Sequence, residues 1–382
     1  MVKNFYLEKI LELKNNFSVK IISGVRGVGK TFLLKTFAEK LRADGVNDGE
    51  IIFIDCSTND RPKNFQQLYN LVMAKIPESE KFFLLIDDID RVDECEKTIN
   101  AIFVGTPAEI YVTCSSATLV GKISALLSKN CDVLKIYPPS FSEHAKKFSP
   151  KNLSNALQNY LRCGSLIDTV GAGEKFIPAI LRGAAHELIF DIVEKNSLQN
   201  ARLFRQLMIN FAQNVGKQIN PHQLLKILTD GGCSTNSNSI QVYSEIGAQL
   251  FIKLPRLDVR RGKIMPVGGK FYCIDNGIIA GLAEVDEKFL VENAVCVELW
   301  RRGYNVSYGQ AGMMTITFVA QRGDEKIFIN VLPLDKSISI RKGTRSLRSL
   351  PADTKKILIT AKPVKKLGDI ENITLRDFLS GK

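Results

Sequence analysis

The sequence contains few histidines and no cysteine pairs, which limits the metal chemistry available to it. Three histidines and eight cysteines occur in 382 residues, and no two cysteines form a C-x-x-C pair. Structural zinc sites use such ligands at short spacings, so the sequence predicts no zinc site. Scattered thiols in a chain of this length indicate reduced, buried cysteines, and we therefore expect a cytoplasmic protein.

Long apolar runs are also missing. No stretch approaches the ~18 consecutive apolar residues that cross a bilayer. Residues 1–16 are charged throughout and lack the apolar core of a signal peptide. Because 45% of the residues are hydrophobic and 24% are charged, the chain can still bury large cores. We expect two or three globular domains and no contact with a membrane.

Acidic residues are fewer than basic residues, and the excess of basic residues is uneven. The formal net charge is +12. Residues 331–382 contain twelve lysines and arginines against five acidic residues. Such a region is typical either of a nucleic-acid contact or of a solvated protein surface. DNA is therefore a candidate partner of the basic C-terminal region, and a solvated surface is the alternative.

One eight-residue segment matches the G-x-x-x-x-G-K-[ST] motif, which binds phosphate. Residues 19–22 before it are mostly apolar and predict a short buried strand, and the apolar residues after it have helical spacing. Strand, glycine loop and helix together are the context that the motif needs, and the alternative is a glycine turn before an ordinary helix. We expect a triphosphate to be bound by Gly24, Val25, Arg26, Gly27, Val28, Gly29, Lys30, Thr31 and Phe32.

Each residue type in this segment has a role in phosphate chemistry. Glycines let the loop wrap closely and point its N–H groups inward, and the helix N-terminus adds a positive dipole end. Lys30 places a positive charge at the β- and γ-phosphates, so we assign it a catalytic role. Thr31 offers its hydroxyl to Mg²⁺.

An acidic strand supplies the second part of an ATPase site. Residues 82–91 read FFLLIDDIDR, and the apolar run at their start predicts a strand buried on both faces. Asp87 ends this strand, where ligands bind in open α/β sheets, and we assign it to the Mg²⁺ shell. Asp88 follows, where many ATPases have a glutamate that polarises the attacking water. Aspartate has the same chemistry with a shorter reach, so slow hydrolysis is expected.

Further strands are predicted at 51–55, 109–116 and 133–137, with helical patterns between them. This alternation predicts a parallel, doubly wound sheet of about five strands. Thr113 ends the strand that follows the acidic one. It either contacts the γ-phosphate as a catalytic group or is a solvated strand end. No N-K-x-D motif for guanine is present, so ATP is favoured over GTP.

Six segments of the chain, four in the predicted ATPase core and two after it, resemble a family of prokaryotic AAA+ ATPases. In that family the ATPase core is followed by a helical lid, a winged-helix segment and a restriction-endonuclease-like C-terminal domain. The resemblance implies a core at 1–145, a lid at 146–204, a winged-helix segment at 205–284 and a nuclease-like domain at 285–382. The matching segments are IISGVRGVGKTFLL, FFLLIDDID, IYVTCSSATLVGKISALLSK, VLKIYPPSFSEH, KFYCIDNGIIAGL and VENAVCVELWRRGYNVSYGQ.

The chain departs from the family pattern within the ATPase core. Members usually have glutamate where this chain has Asp88. Many also have a Gly-Arg pair before the fifth strand, near the place where AAA+ rings put an arginine finger, and this chain has Lys129 and Asn130 there. Arg26 resembles a basic residue that many members carry, and it is a candidate contact for phosphate or for a neighbouring subunit. An oligomer is consistent with the resemblance, but the sequence does not identify one.

The C-terminal segment departs further from the family pattern. Two carboxylates of a nuclease fold hold the metal and a lysine polarises the water. The expected aspartate falls at Thr317, the glutamate at Asn330 and the lysine at Leu332. Glu292 and Glu298 on the preceding predicted helix cannot replace them alone. We therefore predict a nuclease-like fold without cleavage.

Residues 205–260 predict two helices followed by a strand, which suits a winged helix. The second helix carries no lysine or arginine, whereas Arg256, Arg260 and Arg261 follow as a candidate basic wing. Packing between domains is favoured over DNA binding for this segment.

The sequence as a whole predicts an ATP- and Mg²⁺-dependent ATPase that repositions a winged-helix and nuclease-like module. The alternative is a nucleotide-gated switch with little turnover that binds DNA or a protein partner.

Overall fold

The computed structural model describes residues 4–77, 81–128, 130–149, 151–334, 339–365 and 367–381. Lys129, named above in place of an expected Gly-Arg, lies outside these residues, as do Lys336, Lys366 and Lys382 of the basic C-terminal region. The chain divides into two compact units. The first comprises residues 1–137 and 191–198, and the second comprises residues 138–190 and 199–382.

The first unit contains a five-stranded sheet whose strands are all parallel. Its order is β2-β3-β4-β1-β5. The prediction of a parallel sheet of about five strands is therefore confirmed. The strands are β1 (Val19–Ser23), β2 (Ile51–Asp55), β3 (Phe82–Asp87), β4 (Ala108–Cys114) and β5 (Cys131–Lys135).

Helices cover both faces of this sheet. On one face the Phe37 ring packs 4.5 Å from the Tyr111 ring, centroid to centroid. On the other face Ile110 and Val112 join a core cluster with residues of three helices. Alternate residues of β4 thus point into two cores, as a doubly wound sheet requires. The helices of this unit are α1 (Asn4–Glu12), α2 (Lys30–Ala43), α3 (Phe65–Met73), α4 (Cys95–Gly105) and α5 (Ala117–Leu126).

The strand order places three strand ends side by side. β4 lies between β1 and β3, with Ser23 opposite Cys114 and Ile86 opposite Val112. The glycine loop follows β1, and the aspartates follow β3. Thr113 of β4 therefore lies between the two motifs at the carboxyl edge of the sheet.

The second unit begins with helices. Polar residues cap several of them; for example, the Asn220 side chain accepts hydrogen bonds from backbone N–H groups of α10. The helices are α6 (Phe141–Phe148), α7 (Leu153–Cys163), α8 (Ile177–Lys195), α9 (Ala201–Gln213), α10 (Pro221–Asp230), α11 (Ser237–Gly247), α12 (Asn276–Leu282), α13 (Glu287–Arg301), α14 (Ile340–Arg348) and α15 (Leu375–Ser380). The end of α8, from Asp191 on, belongs to the first unit.

The second unit also contains a seven-stranded mixed sheet in the order β12-β11-β10-β9-β8-β6-β7. β8, β9 and β10 form an antiparallel meander, and β11 and β12 follow parallel to β10. β6 and β7 form a hairpin, and β6 pairs in parallel with β8. The strands are β6 (Phe251–Asp258), β7 (Lys263–Cys273), β8 (Asn305–Ala311), β9 (Met314–Arg322), β10 (Glu325–Val331), β11 (Lys355–Thr360) and β12 (Glu371–Thr374).

None of the helices in the described part of the chain is long and apolar enough to cross a membrane. All eight cysteines are free thiols, and all except Cys131 are buried. Burial raises the pKa of Cys56 and of Cys95 to about 12, which makes these two thiols unreactive near neutral pH.

Candidate nucleotide-binding site

The loop between β1 and α2 has a backbone that only glycine fits at two points. A Cβ atom on Gly24 would lie 2.8 Å from the carbonyl oxygen of Ile136, too close for any side chain. Gly29 has a φ of 99°, a left-handed conformation that other residues rarely adopt. These two glycines bend the chain tightly from the strand into the helix. Val25 and Val28 point inward and are buried, whereas Arg26 and Gly27 are exposed.

The N-terminus of α2 lacks a capping side chain, because the N-cap residue is Gly29. The backbone N–H groups of a first helical turn need acceptors, and a phosphate supplies them. Lys30 is the first residue of this 14-residue helix and is only 5% exposed. Its ammonium donates a hydrogen bond of 3.1 Å to the carbonyl oxygen of Val25, within the loop itself. The lysine is thus folded over the loop in which a phosphate would lie.

Burial lowers the pKa of Lys30, whereas the carboxylates of Asp88 and Asp90 act to raise it. An anion bound at the loop would favour the charged ammonium and offset the loss of hydration.

Asp87 and Thr113 form the other side of the site. Asp87 is 1% exposed, and its Oδ1 accepts a hydrogen bond of 2.5 Å from the Thr113 hydroxyl. Its Oδ2 has no hydrogen bond among the described residues, and neither has the hydroxyl of Thr31. Both oxygens therefore keep lone pairs for a cation. Mg²⁺ in such sites takes one or two protein oxygens, and phosphates and water complete the octahedron. Thr31 and Asp87 fit that requirement.

Asp88 adopts a left-handed backbone conformation, with φ 52° and ψ 46°. Its N–H donates a hydrogen bond of 2.8 Å to the Thr113 hydroxyl, which therefore contacts both aspartates. Its carboxylate accepts a hydrogen bond of 3.2 Å from Nε of Arg91. The side chain expected to polarise water is thus engaged in an ion pair at 19% exposure.

A network that the sequence did not predict lies beside these residues. The Lys195 ammonium is 3.3 Å from Asp90 and 3.2 Å from Asp191, oxygen to nitrogen, and donates a hydrogen bond of 2.6 Å to the Ser115 hydroxyl. Ser115 in turn donates to Asp90 at 2.6 Å. Burial acts to lower the pKa of Lys195, but the neighbouring aspartates outweigh it and the pKa is raised. The ammonium stays charged.

Arg26 belongs to the same group of charges. Its guanidinium lies 3.8 Å from Asp191, and its side chain is 52% exposed. The sequence contains Asp90 as the third aspartate of DDID, but it does not indicate that this side chain is buried. Lys195 had no sequence signal, since it lies more than 100 residues after Asp90 and no motif surrounds it.

The structure brings together most of the residues predicted to bind nucleotide and metal. The loop from Gly24 to Gly29 lies at the carboxyl edge of the sheet with Lys30, Asp87 and Thr113. Phe32 lies in the first turn of α2 with its side chain 56% exposed.

The predicted nuclease positions form a hydrogen-bonded cluster in the second unit. The Asn330 side chain accepts a hydrogen bond of 2.9 Å from the Thr317 N–H, and donates to the Gly343 carbonyl at 2.6 Å and to the Ser346 hydroxyl at 2.9 Å. A Cβ on Gly343 would lie 2.5 Å from Leu332, so α14 packs directly against that residue. Within the described ranges, no three His, Cys, Asp or Glu side chains are grouped to hold a metal.

A parallel sheet, a glycine loop leading into a helix and an aspartate at a neighbouring strand end define a P-loop NTPase. Residues 16–145 match the family described as AAA domain. The chain is also 30% identical to an uncharacterized protein of Haemophilus influenzae, over 98% of this chain and 97% of the other. The chain therefore belongs to the same family as that protein, and it carries an AAA domain at its N-terminal end.

Two solved structures resemble the chain at low sequence identity. A Thermotoga maritima RuvB mutant is 15% identical, with 68% of this chain and 89% of that chain covered at a TM-score of 0.32. A chain of a structure of Drosophila ORC bound to DNA is 14% identical, with 35% of this chain and 87% of that chain covered at a TM-score of 0.26.

Proposed function

We propose that the protein is a Mg²⁺-dependent ATPase whose nucleotide site is formed by the loop 24–29, Lys30, Asp87 and Thr113. The observation that carries this proposal is the arrangement at the sheet edge. An uncapped helix N-terminus and a buried ammonium face the loop, and the Asp87 carboxylate lies two strands away with an oxygen left for a cation. Bound Mg²⁺ would neutralise charge on the phosphates. Thr31 and Asp87 would hold the ion.

The residues around the phosphates have distinct roles in this proposal. Lys30 would exchange its hydrogen bond to Val25 for the β- and γ-phosphates. Thr113 would position both aspartates, since its hydroxyl joins the Asp87 carboxylate to the Asp88 backbone. Asp88 would polarise the attacking water once Arg91 releases its carboxylate. The absence of an N-K-x-D motif favours ATP over GTP.

The second unit is proposed to be the module that responds to the nucleotide. α10, α11 and the β6–β7 hairpin have the order of a winged helix. The succession α13, β8, β9, β10, α14, β11 would be a nuclease-like fold. The proposed lid at 146–204 belongs to the second unit except for residues 191–198, which belong to the first. Asn330 forms hydrogen bonds with Thr317 and with α14, so these polar groups are already paired. This pairing supports a module that has no nuclease activity. The free cysteines suit a reducing compartment such as the cytoplasm.

A second candidate function is a nucleotide-gated switch with little turnover, acting on DNA or on a protein partner. The ion pair of Asp88 with Arg91 favours it, because an engaged aspartate is a poor base.

The test measures ATP binding and phosphate release together, with Lys30→Ala as the inactive variant. We expect Lys30→Ala to lose ATP affinity and turnover, because the buried ammonium is removed. Lys35→Ala is the matched control, since Lys35 lies on the same helix but is exposed. Tight ATP binding by the unaltered chain, with no phosphate release with or without DNA, would favour the switch. Equal loss in both variants would contradict the assignment of Lys30.

A further inference from the structure

Helix α14 carries its charge on one side. Gly343, Thr344, Ser346 and Leu347 are buried against the sheet of the second unit. The four basic side chains of the helix are all exposed. We call them the basic stripe: Arg341, Lys342, Arg345 and Arg348.

The buried side fixes the helix to the sheet. Leu347 is fully buried in a core cluster with Leu332 and Leu358 of the second unit. The Asn330 side chain bonds the Gly343 carbonyl and the Ser346 hydroxyl. The backbone that carries the basic stripe is therefore held by contacts that do not use the charged groups. Removing a charge from the stripe leaves this anchoring in place.

Among the residues that the structure describes, no side chain neutralises the stripe. None of its four side chains has an ion pair or hydrogen bond from its charged group to any residue in the described ranges. Exposed Lys355 nearby in sequence, by contrast, is paired with Glu325 at 3.0 Å. Arg348 acts electrostatically on the carboxylate of Asp369, but that carboxylate is already bonded to Lys356. Four positive charges thus face solvent together.

The surface over the stripe is concave. A cavity of about 540 Å³ is lined by the four basic residues and by Ser339, the N-cap of α14. From Arg341 to Arg348 the helix advances about 10 Å, at about 1.5 Å per residue. That length covers about three base-pair rises of a nucleic-acid duplex. A polyanion with regularly spaced charges fits the stripe better than a single small ion.

We propose that the basic stripe binds the phosphate backbone of a nucleic acid. Three of its four residues are arginines, whose planar guanidinium groups bond phosphate oxygens in pairs. A membrane surface is disfavoured, because interfacial helices also insert large apolar side chains and the exposed side of α14 has only Ile340, at 40% exposure. Contacts with phosphates carry no sequence information, so the stripe would bind without sequence preference. This inference does not depend on ATP hydrolysis.

The test is fluorescence anisotropy of a labelled 20-base-pair DNA duplex, and of an RNA strand of the same length, with the full chain over a range of salt concentrations. We expect Arg341→Gln with Arg345→Gln to weaken binding about 10- to 100-fold, and to reduce the slope of log affinity against log salt by about 2. Lys342→Gln with Arg348→Gln should have the same effect. ATP binding should be unchanged in both double variants.

Arg162→Gln with Arg182→Gln is the matched control, because both arginines are exposed on other helices of the second unit. It should keep the affinity and most of the salt slope. Affinity unchanged in the stripe variants, or lost equally in the control, would overturn the proposal. Binding to vesicles of anionic lipid without binding to either nucleic acid would overturn it as well. Loss of ATP binding in Lys30→Ala with DNA binding retained would separate this site from the nucleotide site.

Discussion

At the scale of single residues, Asp88 combines a left-handed backbone conformation with a side chain that forms an ion pair with Arg91. Its left-handed φ of 52° is a conformation that aspartate and asparagine tolerate better than longer residues do. The resemblance to other members leads one to expect glutamate here. The local backbone gives a physical reason for aspartate, because its short side chain can bond locally in this conformation.

Replacing Asp88 by glutamate is therefore expected to lower the stability of the protein by about 0.5–1 kcal/mol without raising ATP turnover. Asp88→Asn should leave stability unchanged and reduce turnover by about 100-fold or more, since asparagine is no base. Thermal unfolding and phosphate release measure the two effects. A stable Asp88→Glu variant with faster turnover would show that the length of the side chain, and not the backbone conformation, limits ATP turnover.

Lys195 illustrates the cost of a buried charge. Its side chain is 11% exposed and that of Asp90 only 2%, and Oδ1 of Asp90 accepts no hydrogen bond from the residues that the structure describes. Lys195→Met should destabilise the first unit by about 3–5 kcal/mol, because the Asp90 carboxylate would lose its counter-ion. Urea unfolding of this variant, of Asp90→Asn and of the pair of substitutions tests the coupling. Lys97→Met is the control, as Lys97 pairs with Glu94 on the exposed surface.

Additivity of the two single substitutions would contradict a direct interaction between Lys195 and Asp90. In the same series, the asparagine at position 90 should restore much of the stability lost with the lysine.

At the scale of elements, a buried ion pair connects neighbouring strands of the first sheet. Glu109 of β4 lies 3.6 Å from Lys20 of β1 and 2.9 Å from Lys81, oxygen to nitrogen. It also accepts hydrogen bonds from Tyr111 at 3.0 Å and from the backbone of Asn15 at 3.1 Å. Burial acts to raise the pKa of Glu109, but these hydrogen bonds and charges outweigh it and the pKa is lowered.

A lowered pKa gives this glutamate a defined pH dependence. Its contribution to stability is fully present above the ordinary value of 4.5 and is lost as the pH falls through the lower value in the folded protein. Glu109→Gln should therefore flatten the fall in stability below pH 4.5, measured by urea unfolding at several pH values. Glu39→Gln, on the exposed side of α2, should follow the unaltered chain. A Glu109→Gln curve parallel to that of the unaltered chain would contradict the assignment.

The elements also show what a single sequence can predict. Most strands of the first sheet were predictable because they are short apolar runs and the segments between them have helical spacing. β5 was predicted two residues late, at 133–137, because its first half contains Asp132. The loop, Lys30, Asp87 and Thr113 were predictable because adjacent parallel strands end at one edge. The pairing of β6 with β8 was not, because about 50 residues separate the strands and no local pattern encodes a long-range partner. The pairing of Lys195 with Asp90 could not be predicted for the same reason.

At the scale of the whole molecule, the nucleotide site should link distant parts of the sequence. Adding Mg²⁺ and ATP should slow amide hydrogen exchange in the glycine loop, after β3, at the end of β4 and in residues 191–198. The last segment is the informative one, because Lys195 and Asp191 connect it to Asp90 and Arg26 at the site. Lys30→Ala should show none of these changes. Protection confined to the glycine loop would separate Lys195 from nucleotide binding.

The first unit consists of two separate segments of the chain, residues 1–137 and 191–198, and these are synthesised at different times. A growing chain that has reached Tyr137 contains the whole five-stranded sheet, yet lacks the ammonium that balances Asp90. About 60 further residues must be added before Lys195 is available, which takes about 3–12 s at ordinary rates of synthesis. During that interval the buried Asp90 carboxylate lacks its ion pair with Lys195. The sheet can therefore form early on the ribosome, whereas the ion pairs at its carboxyl edge are completed only in the second half of translation.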